Sequence, residues 1–136
     1  LNNLIKEITK KYEGKQINVN FEENLKINMR PNAVKRCLMN LIDNSLSYGK
    51  KVEILMKKTI NSIIIFVDDD GPGIPKSEHQ NVMKPFYRID KSRGQNKSGV
   101  GLGLSIANDI IRSHGGNIVL EKSHLNGLRV KISLPL

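Results

Sequence analysis

The stretch MNLIDNSLSYG, residues 39–49, decides the fold, because it predicts a helix with two unlike faces. Asn40 and Asn44 stand one turn apart in an otherwise apolar pattern, and at about 100° per residue they fall on the side that also carries Tyr48. Asn is a poor residue for a helix interior. Two of them on one face, with an aromatic at its end, therefore suggest a face that binds something.

The helix that holds this stretch has clear limits. Pro31 suits the first helical position, and the pattern runs from Asn32 to Tyr48 and stops at Gly49. Cys37, the single cysteine, excludes an internal disulfide and is expected to be a small buried residue of this helix. An apolar stripe on the side away from the asparagines is expected to face the core and consists of Val34, Leu38, Leu41, Ile42 and Ser45.

Alternating apolar patterns before and after this helix predict a sheet. Residues 1–13 predict an amphipathic helix that ends at Gly14. The run from Ile63 to Val67 is unbroken and apolar, which is typical of a central strand buried on both faces. Four strands are predicted up to this point, over residues 16–23, 25–30, 51–58 and 62–71. A short hairpin-like connection joins the first two of them.

The second half of the chain predicts a loop, a helix and two strands. Residues 76–98 are polar and are expected to form a long mobile loop with a short helix around residues 78–83. Strands over 117–123 and 128–136 meet at a turn of Asn126 and Gly127. Between loop and strands, a helix closed by Gly115 and Gly116 has apolar residues at four-residue spacing, namely Leu102, Ile106 and Ile110.

Together these elements predict an α+β fold. We expect a two-layer α/β sandwich, with a mixed, mostly antiparallel sheet packed on helices. The 136 residues and the 38% hydrophobic content suit one domain with its own core. No internal repeat is present, and we expect the chain to be a piece of a longer protein.

Composition narrows the function. No apolar run approaches the roughly 20 residues that a membrane span needs. The net charge of +9 favours an anionic partner such as a nucleotide, a phospholipid or a nucleic acid. Nucleic acid is disfavoured, because the lysines are spread along the chain and only six aromatic residues accompany them. A metal cluster is not indicated either, since no ligand-like spacing relates His79, His114 and His124.

The segment DDDGPGIP, residues 68–75, is a candidate binding turn because it follows the predicted central strand. A carboxylate at the end of a buried strand is well placed to accept a hydrogen bond from a ligand. Gly71 and Gly73 let a ligand approach the main chain. The alternative is a plain acidic turn, since Asp and Gly favour turns in any case.

Two further segments hold groups that suit phosphate. KPFYRIDKSR, residues 84–93, combines aromatics with arginines in the polar loop, and a mobile Arg can reach a phosphate chain. In SGVGLGLSIA, residues 98–107, glycines stand directly before a helix, whose free N–H groups and dipole attract phosphate. This is not a P-loop, because no Lys-Ser/Thr pair follows the glycines, and it does not open a βαβ unit.

The order and spacing of these four segments resemble a known family. The Asn helix, the Asp-x-Gly-x-Gly turn, the aromatic-Arg segment and the glycine-rich helix start are similar to the N, G1, F and G2 boxes of the Bergerat-fold (GHKL) ATP-binding domain of sensor histidine kinases. The resemblance extends from about residue 17 to the closing SLPL, and NAVKR, YG and PFYRIDKSR look most like the osmosensor EnvZ and its relatives. It implies that residues 1–136 are one catalytic ATP-binding domain with a mobile ATP lid.

The resemblance also implies a role for each matching residue. Asn44 would coordinate Mg²⁺ on the ATP phosphates, and Asn40 and Arg93 would join it in catalysis. Asp69 would accept the adenine amino proton, and Tyr48 would lie against the adenine ring. The remaining ATP contacts would come from Asn40, Gly71, Gly73, Ile74, Phe86, Arg88, Arg93, Gly99, Gly101, Leu102 and Gly103.

Two positions depart from the family pattern. Ser47 stands where relatives usually carry Lys or Arg, so a cationic phosphate contact is lost there unless Lys50, Lys51 or a lid residue replaces it. The second and milder departure is Asn126-Gly127-Leu128, where many relatives have consecutive glycines.

The identity of residue 40 separates a kinase from a hydrolase. In the gyrase and MutL hydrolases of this fold a Glu one turn before the metal-binding Asn activates water, whereas Asn40 is an amide without useful basicity. We therefore expect transfer of the γ-phosphoryl group to a His on a separate dimerisation domain, since none of the three His has the acceptor context. The alternatives are a nucleotide-binding interaction module without kinase activity and a serine kinase of the same fold.

The resemblance finally implies partners and a location. The partners would be the missing phosphoacceptor domain and, indirectly, a response regulator, and no nucleic acid. The fragment would be a monomer and the parent a homodimer. The domain would be cytoplasmic and the parent would lie in the bacterial inner membrane.

Overall fold

The computed structural model describes residues 2–12, 14, 16–21, 29–84 and 103–136. Within these residues the chain forms three α-helices, five strands and two short 3-10 turns. The helices are α1 (Asn2–Lys11), α2 (Pro31–Tyr48) and α3 (Gly103–Ser113). The strands are β1 (Gln16–Phe21), β2 (Lys51–Lys58), β3 (Ser62–Asp69), β4 (Asn117–Lys122) and β5 (Leu128–Pro135), and the 3-10 turns are Lys76–Glu78 and Asn81–Met83.

The strands form one mixed sheet in the order β1-β2-β3-β5-β4. Strand β1 runs parallel to β2, because the long helix α2 carries the chain back between them. The other neighbours are antiparallel, with β3 in the centre. The helices pack on one side of this sheet, so the predicted two-layer α+β sandwich with a mostly antiparallel sheet is confirmed.

The core lies between the sheet and the helices. Strand β3 contributes Ile63, Ile65 and Val67, all without measurable exposure. Each helix adds an apolar stripe at helical spacing. On α2 the buried residues are the predicted Val34, Cys37, Leu38, Leu41, Ile42 and Ser45, and on α1 they are Leu4, Ile5 and Ile8.

The far face of the sheet, away from the helices, is covered differently. Ile64 and Phe66 of β3 point to this side and are each only 9% exposed. The Phe66 ring lies under two basic side chains, with the Arg129 guanidinium 4.5 Å and the Lys57 ammonium 5.4 Å from its centroid. The prediction that β3 is buried on both faces is therefore correct. The helices cover one face, and the long side chains of Lys57 and Arg129 cover Phe66 on the other.

Several predicted elements differ in detail. The strand expected over 25–30 lies mostly outside the described residues, and Met29 and Arg30 are not in a strand. The short helix expected around residues 78–83 is the pair of 3-10 turns. In α3 the buried stripe is shifted from the one that the spacing suggested: Ile106 and Ile110 are half-buried, and the core is reached by Leu104, Ala107 and Ile111.

His114 directly follows the last residue of α3. Its Nε2 accepts the Arg30 N–H at 3.0 Å and its Nδ1 lies 2.8 Å from the Ile110 carbonyl, so it joins the start of α2 to the end of α3. In the described part of the chain, no helix has both the length and the apolar character needed to cross a membrane.

Candidate functional site

Asp69 is the last residue of β3, and its carboxylate is buried near the end of α2. Only 3% of the residue is exposed. Its Oδ1 accepts the Gly71 N–H at 2.9 Å and the Leu128 N–H at 3.1 Å. The Ser45 hydroxyl, from the buried face of α2, adds a third hydrogen bond. All three donors are neutral, so this buried carboxylate has no cationic partner among them.

This environment sets the chemistry of Asp69. Burial raises the pKa of its carboxyl, and the hydrogen bonds from Leu128, Gly71 and Ser45 offset part of that rise. A carboxylate offers about four acceptor positions. Three donors therefore leave capacity for an N–H group of a ligand, which is the chemistry that the adenine amino group needs.

Glycines surround this carboxylate because a side chain would not fit. A Cβ at Gly127 would lie 2.2 Å from Asp69 Oδ1 and 2.6 Å from the Gly71 nitrogen. A Cβ at Gly71 would lie 2.8 Å from the Tyr48 carbonyl oxygen. The turn after β3, the end of α2 and the loop between β4 and β5 thus meet at backbone contact around one carboxylate.

Asp70 fastens the same turn to the start of β2. Its Oδ1 accepts the N–H groups of Lys50 at 2.7 Å and Lys51 at 3.0 Å. These hydrogen bonds lower the pKa of the Asp70 carboxyl. The contact fixes the residues that follow Tyr48, and a Cβ at Gly49 would lie 2.6 Å from the same oxygen. Asp70 therefore holds the end of the α2 polar face beside Asp69.

At the other end of that polar face, Asn40 lies against the first residue of α3. A Cβ at Gly103 would be 3.7 Å from the Asn40 carbonyl oxygen. The Asn40 Nδ2 is buried and, within the described residues, has no hydrogen-bond acceptor. An unsatisfied buried N–H group beside a helix N-terminus suits an anion. Phosphate oxygens are acceptors of the right kind for this position.

Asn44 lies between the two ends, half-buried on the same face of α2. A rise of 1.5 Å per residue separates Asn40 from Tyr48 by about 12 Å along the helix axis. Tyr48 is 48% exposed at the Asp69 end. The polar face of α2 thus has a buried carboxylate beside one end and, among the described residues, an unsatisfied buried donor at the other.

Ser47 does not replace the missing cation on this face. Its hydroxyl donates to the Asp43 carbonyl of its own helix at 2.9 Å. The side chains of Lys50 and Lys51, the predicted substitutes, belong to exposed residues just beyond the helix. Gly73, at φ +75°, and the half-buried Ile74 continue the turn from Asp69.

The structure therefore brings part of the predicted site together. It joins Asn40 and Asn44 on α2 to Gly103 at the start of α3, and Tyr48 to Asp69, Gly71, Gly73 and Ile74 at the other end. The remaining predicted contacts and the ATP lid lie outside the described residues; these are Phe86, Arg88, Arg93, Gly99, Gly101 and Leu102.

Sequence reasoning missed four contributors. Ser45 was assigned to the core, although a single polar residue in an apolar stripe was a signal of a buried hydrogen bond. Asp70 was not assigned a role. Gly127 is predicted only as a turn residue and Leu128 only as the start of a strand, because nothing in the local sequence tells which strand they lie against.

Comparisons with known proteins agree with this geometry. Among curated proteins, the sensor histidine kinase CpxA of Escherichia coli (strain K12) is 39% identical over 125 residues, which cover 90% of this chain and 27% of that protein. The sensor histidine kinase GtrS of Pseudomonas aeruginosa is 41% identical over 106 residues, covering 78% of this chain and 22% of that protein. The chain spans about a quarter of the length of these relatives.

Solved structures give the same result over nearly the whole chain. The catalytic domain of histidine kinase ThkA superposes with a TM-score of 0.82 at 28% identity, covering 99% of this chain and 91% of that one. The histidine kinase domain of the E. coli osmosensor EnvZ gives 0.76 at 30% identity, covering 100% and 86%. The family described as "Histidine kinase-, DNA gyrase B-, and HSP90-like ATPase" matches residues 29–136. The chain belongs to this family of ATPases.

Proposed function

We propose that this chain binds MgATP and delivers the γ-phosphoryl group to a histidine on a separate dimerisation domain of a two-component sensor kinase. The observation that carries the proposal is the polar face of α2. Within the described residues, it runs from a buried Asn40 N–H without an acceptor to the buried Asp69 carboxylate, whose hydrogen-bond donors are neutral. A ligand with an anionic end and an aromatic amine at the other end satisfies both.

The residues divide the work along the ligand. Asp69 accepts the adenine amino proton, and Tyr48 covers the adenine ring. Asn40 Nδ2 donates to a phosphate oxygen, beside the free N–H groups at the start of α3. Asn44 supplies an amide oxygen, the kind of ligand that Mg²⁺ prefers, and bound Mg²⁺ neutralises charge on the phosphates. Arg93, Arg88 and the other lid residues complete the site in this proposal.

The amide at residue 40 favours transfer to an outside nucleophile. Asn40 has no useful basicity, so this position does not activate water. In the transfer, the lone pair of an imidazole nitrogen forms the N–P bond while the bond from the γ-phosphorus to the bridging oxygen breaks and ADP leaves. The contribution of this chain is positioning and charge stabilisation. The acceptor domain, a response regulator and a homodimeric parent in the bacterial inner membrane are the implied partners and setting.

Calorimetric titration of MgATP into wild type, Asn44→Asp and Asn32→Asp tests the binding step. Asn32 is an exposed residue in the first turn of the same helix, so it receives the same chemical change away from the polar face. Wild type and Asn32→Asp should bind alike, and Asn44→Asp should lose at least about tenfold in affinity because the added charge alters the metal's surroundings. Equal affinity in all three proteins would contradict the role of Asn44.

Radiolabelled ATP tests the transfer step. We expect no label on this chain alone and label on an added dimerisation domain that carries the acceptor His. Label on this chain alone would refute transfer to a separate domain. ATP binding without any transfer would indicate a nucleotide-binding interaction module instead.

A further inference from the structure

Arg129 makes an ion pair on the far face of the sheet, directly behind the Asp69 carboxylate. Its Nε donates to Asp68 Oδ1 at 2.8 Å and its Nη2 donates to Asp68 Oδ2 at 3.2 Å, so the pair is bidentate. The Asp68 side chain is 3% exposed and the Arg129 side chain 27%. The guanidinium also lies over the Phe66 ring. This is a bidentate, largely desolvated contact between β3 and β5.

Adjacent residues carry this contact through the sheet. Asp68 and Arg129 are register partners across β3 and β5. The next residue of β3 is Asp69 and the preceding residue of β5 is Leu128, and both point to the opposite face because side chains alternate along a strand. The Leu128 N–H that reaches Asp69 thus belongs to the residue next to Arg129. When the Asp68–Arg129 pair is held in place, the Asp69 carboxylate and the Leu128 N–H, which belong to the adjacent residues of the two strands, are held in place as well.

The loop between β4 and β5, residues 123–127, is held from the same side. The Arg129 Nη2 lies 3.4 Å from His124 Nδ1, and His124 Nε2 lies 3.0 Å from Glu53 Oε1 on β2. We call Glu53, Asp68, His124 and Arg129 the far-face clamp. The last residue of the clamped loop is Gly127, whose backbone leaves no room for a Cβ beside Asp69.

We infer that Arg129 is a positioning residue for adenine recognition, which acts through the far-face clamp to hold the Leu128 N–H and the Gly127 backbone against the Asp69 carboxylate. This inference rests on the proposed function. Without the clamp, the start of β5 and its loop shift relative to β3, and Asp69 loses a donor that fixes its orientation. The proposed phosphate end of the site, at Asn40 and Gly103, is built from α2 and α3 and does not depend on the clamp.

The double variant Asp68→Asn/Arg129→Met tests this inference. It removes both charges, so no unpaired ion is left buried. The control is Lys131→Met, on the same face of β5 and outside the clamp. The measurements are the affinities for MgATP and for magnesium triphosphate, which lacks adenine, and the amide hydrogen exchange of Leu128.

We expect the double variant to bind MgATP about tenfold more weakly, the effect of one well-placed hydrogen bond, with triphosphate affinity unchanged and faster Leu128 exchange. Arg129→Lys, which keeps one charged donor, should lie between this variant and wild type, and Lys131→Met should match wild type. If the double variant does not fold, Arg129→Lys and His124→Ala supply the same comparison.

Unchanged MgATP affinity with unchanged Leu128 exchange in a folded variant would overturn the inference. An equal loss for MgATP and triphosphate would also overturn it, because the clamp would then act on the whole fold. Failure of the wild type to bind MgATP would instead refute the proposed function, which separates the two tests.

Discussion

Asp68 and Asp69 are neighbours on β3, nearly equal in burial, yet they lie in opposite electrostatic environments. On the far face, Asp68 is gripped by the Arg129 guanidinium through two hydrogen bonds. On the helix face, Asp69 is met by two backbone N–H groups and the Ser45 hydroxyl. The first carboxylate is neutralised inside the protein. The second is held by neutral donors and is the proposed adenine contact.

The difference shows that adjacent carboxylates of one strand can have unlike surroundings, one paired with a cation and the other with neutral donors. The Asp68 charge is already neutralised by a bidentate cation, so a further neutral donor would gain little from it. A buried charge without a cation is less stable in isolation, as the raised pKa of Asp69 indicates. Asp70, the third residue of the run, is exposed and serves the backbone of Lys50 and Lys51. Three identical residues in sequence thus have three roles, set by what surrounds them.

The largest effect on stability and nucleotide binding is expected from a substitution that crowds the Asp69 carboxylate. Gly127→Ala places a Cβ 2.2 Å from Asp69 Oδ1 and 2.3 Å from the Asp69 carbonyl oxygen. Because these atoms belong to the central strand and cannot move aside, we expect a loss of about 3 kcal/mol or more in the free energy of unfolding. MgATP binding should be abolished. Urea unfolding and calorimetry measure the two effects.

Gly14→Ala is the matched control for this substitution. Gly14 has φ +87° but no atom within 4 Å of its Cβ position, so only the backbone conformation opposes the change. We expect a loss of about 1 kcal/mol with nucleotide binding intact. Similar losses for the two variants would show that the space around Asp69 is not tightly closed.

Replacing each aspartate by asparagine should affect the free energy of unfolding differently on the two faces of the sheet. Asp68→Asn removes a charge-assisted pair with Arg129 and should cost about 2 kcal/mol of the free energy of unfolding at neutral pH. Asp69→Asn removes a buried charge whose donors among the described residues are all neutral, and its amide oxygen can still accept from the Gly71 and Leu128 N–H groups. We expect its stability to equal or exceed that of wild type.

The MgATP affinities of the same two variants should rank in the opposite order from their stabilities. In Asp69→Asn the amide NH₂ faces the adenine amino group, so two donors meet and MgATP affinity should fall at least about tenfold. Asp68→Asn should bind MgATP more tightly than Asp69→Asn does. Destabilisation by Asp69→Asn as large as that by Asp68→Asn would mean that the two carboxylates have equivalent surroundings.

Local patterns were enough to predict the fold but only part of the site. The α2 helix, its buried stripe and the central apolar run of β3 follow from periodicity alone, and each is where the sequence placed it. The shifted stripe of α3 shows the limit: Leu104 and Ala107 reach the core because tertiary packing, and not the spacing of the isoleucines, sets the rotation of the helix.

Site residues that depend on distant partners could not be predicted. Nothing near Gly127 in the sequence indicates that its backbone touches Asp69, since the contact joins segments about sixty residues apart. Likewise the local pattern does not distinguish Asp68, Asp69 and Asp70. The family resemblance singles out Asp69, and strand alternation with the neighbour β5 gives the physical reason. Residues whose partners lie on the same helix, such as Asn40 and Asn44, were found because helical spacing brings them together.

The pH dependence of stability gives the smallest and most specific test of the comparison. Burial raises the pKa of Asp69, so the native state keeps this proton to a higher pH than the unfolded chain does. The Asp69 contribution to the free energy of unfolding therefore falls as pH rises from about 3.9, the ordinary carboxyl value, through the raised native pKa. Asp69→Asn should lack this contribution, so its stability relative to wild type should increase with pH.

Asp70 provides the control with the opposite sign. Hydrogen bonds from Lys51 and Lys50 lower its pKa, so its stabilisation is fully present above the ordinary carboxyl value and is lost as pH falls through the lowered one. The free energy of unfolding of Asp70→Asn relative to wild type should therefore fall as pH rises from the lowered native pKa to the ordinary carboxyl value. Urea unfolding of the three proteins from acidic to neutral pH measures both trends. Parallel curves for wild type and Asp69→Asn would show that the Asp69 carboxyl titrates as it does in the unfolded chain, and the contrast between the two faces of β3 would then lose its electrostatic basis.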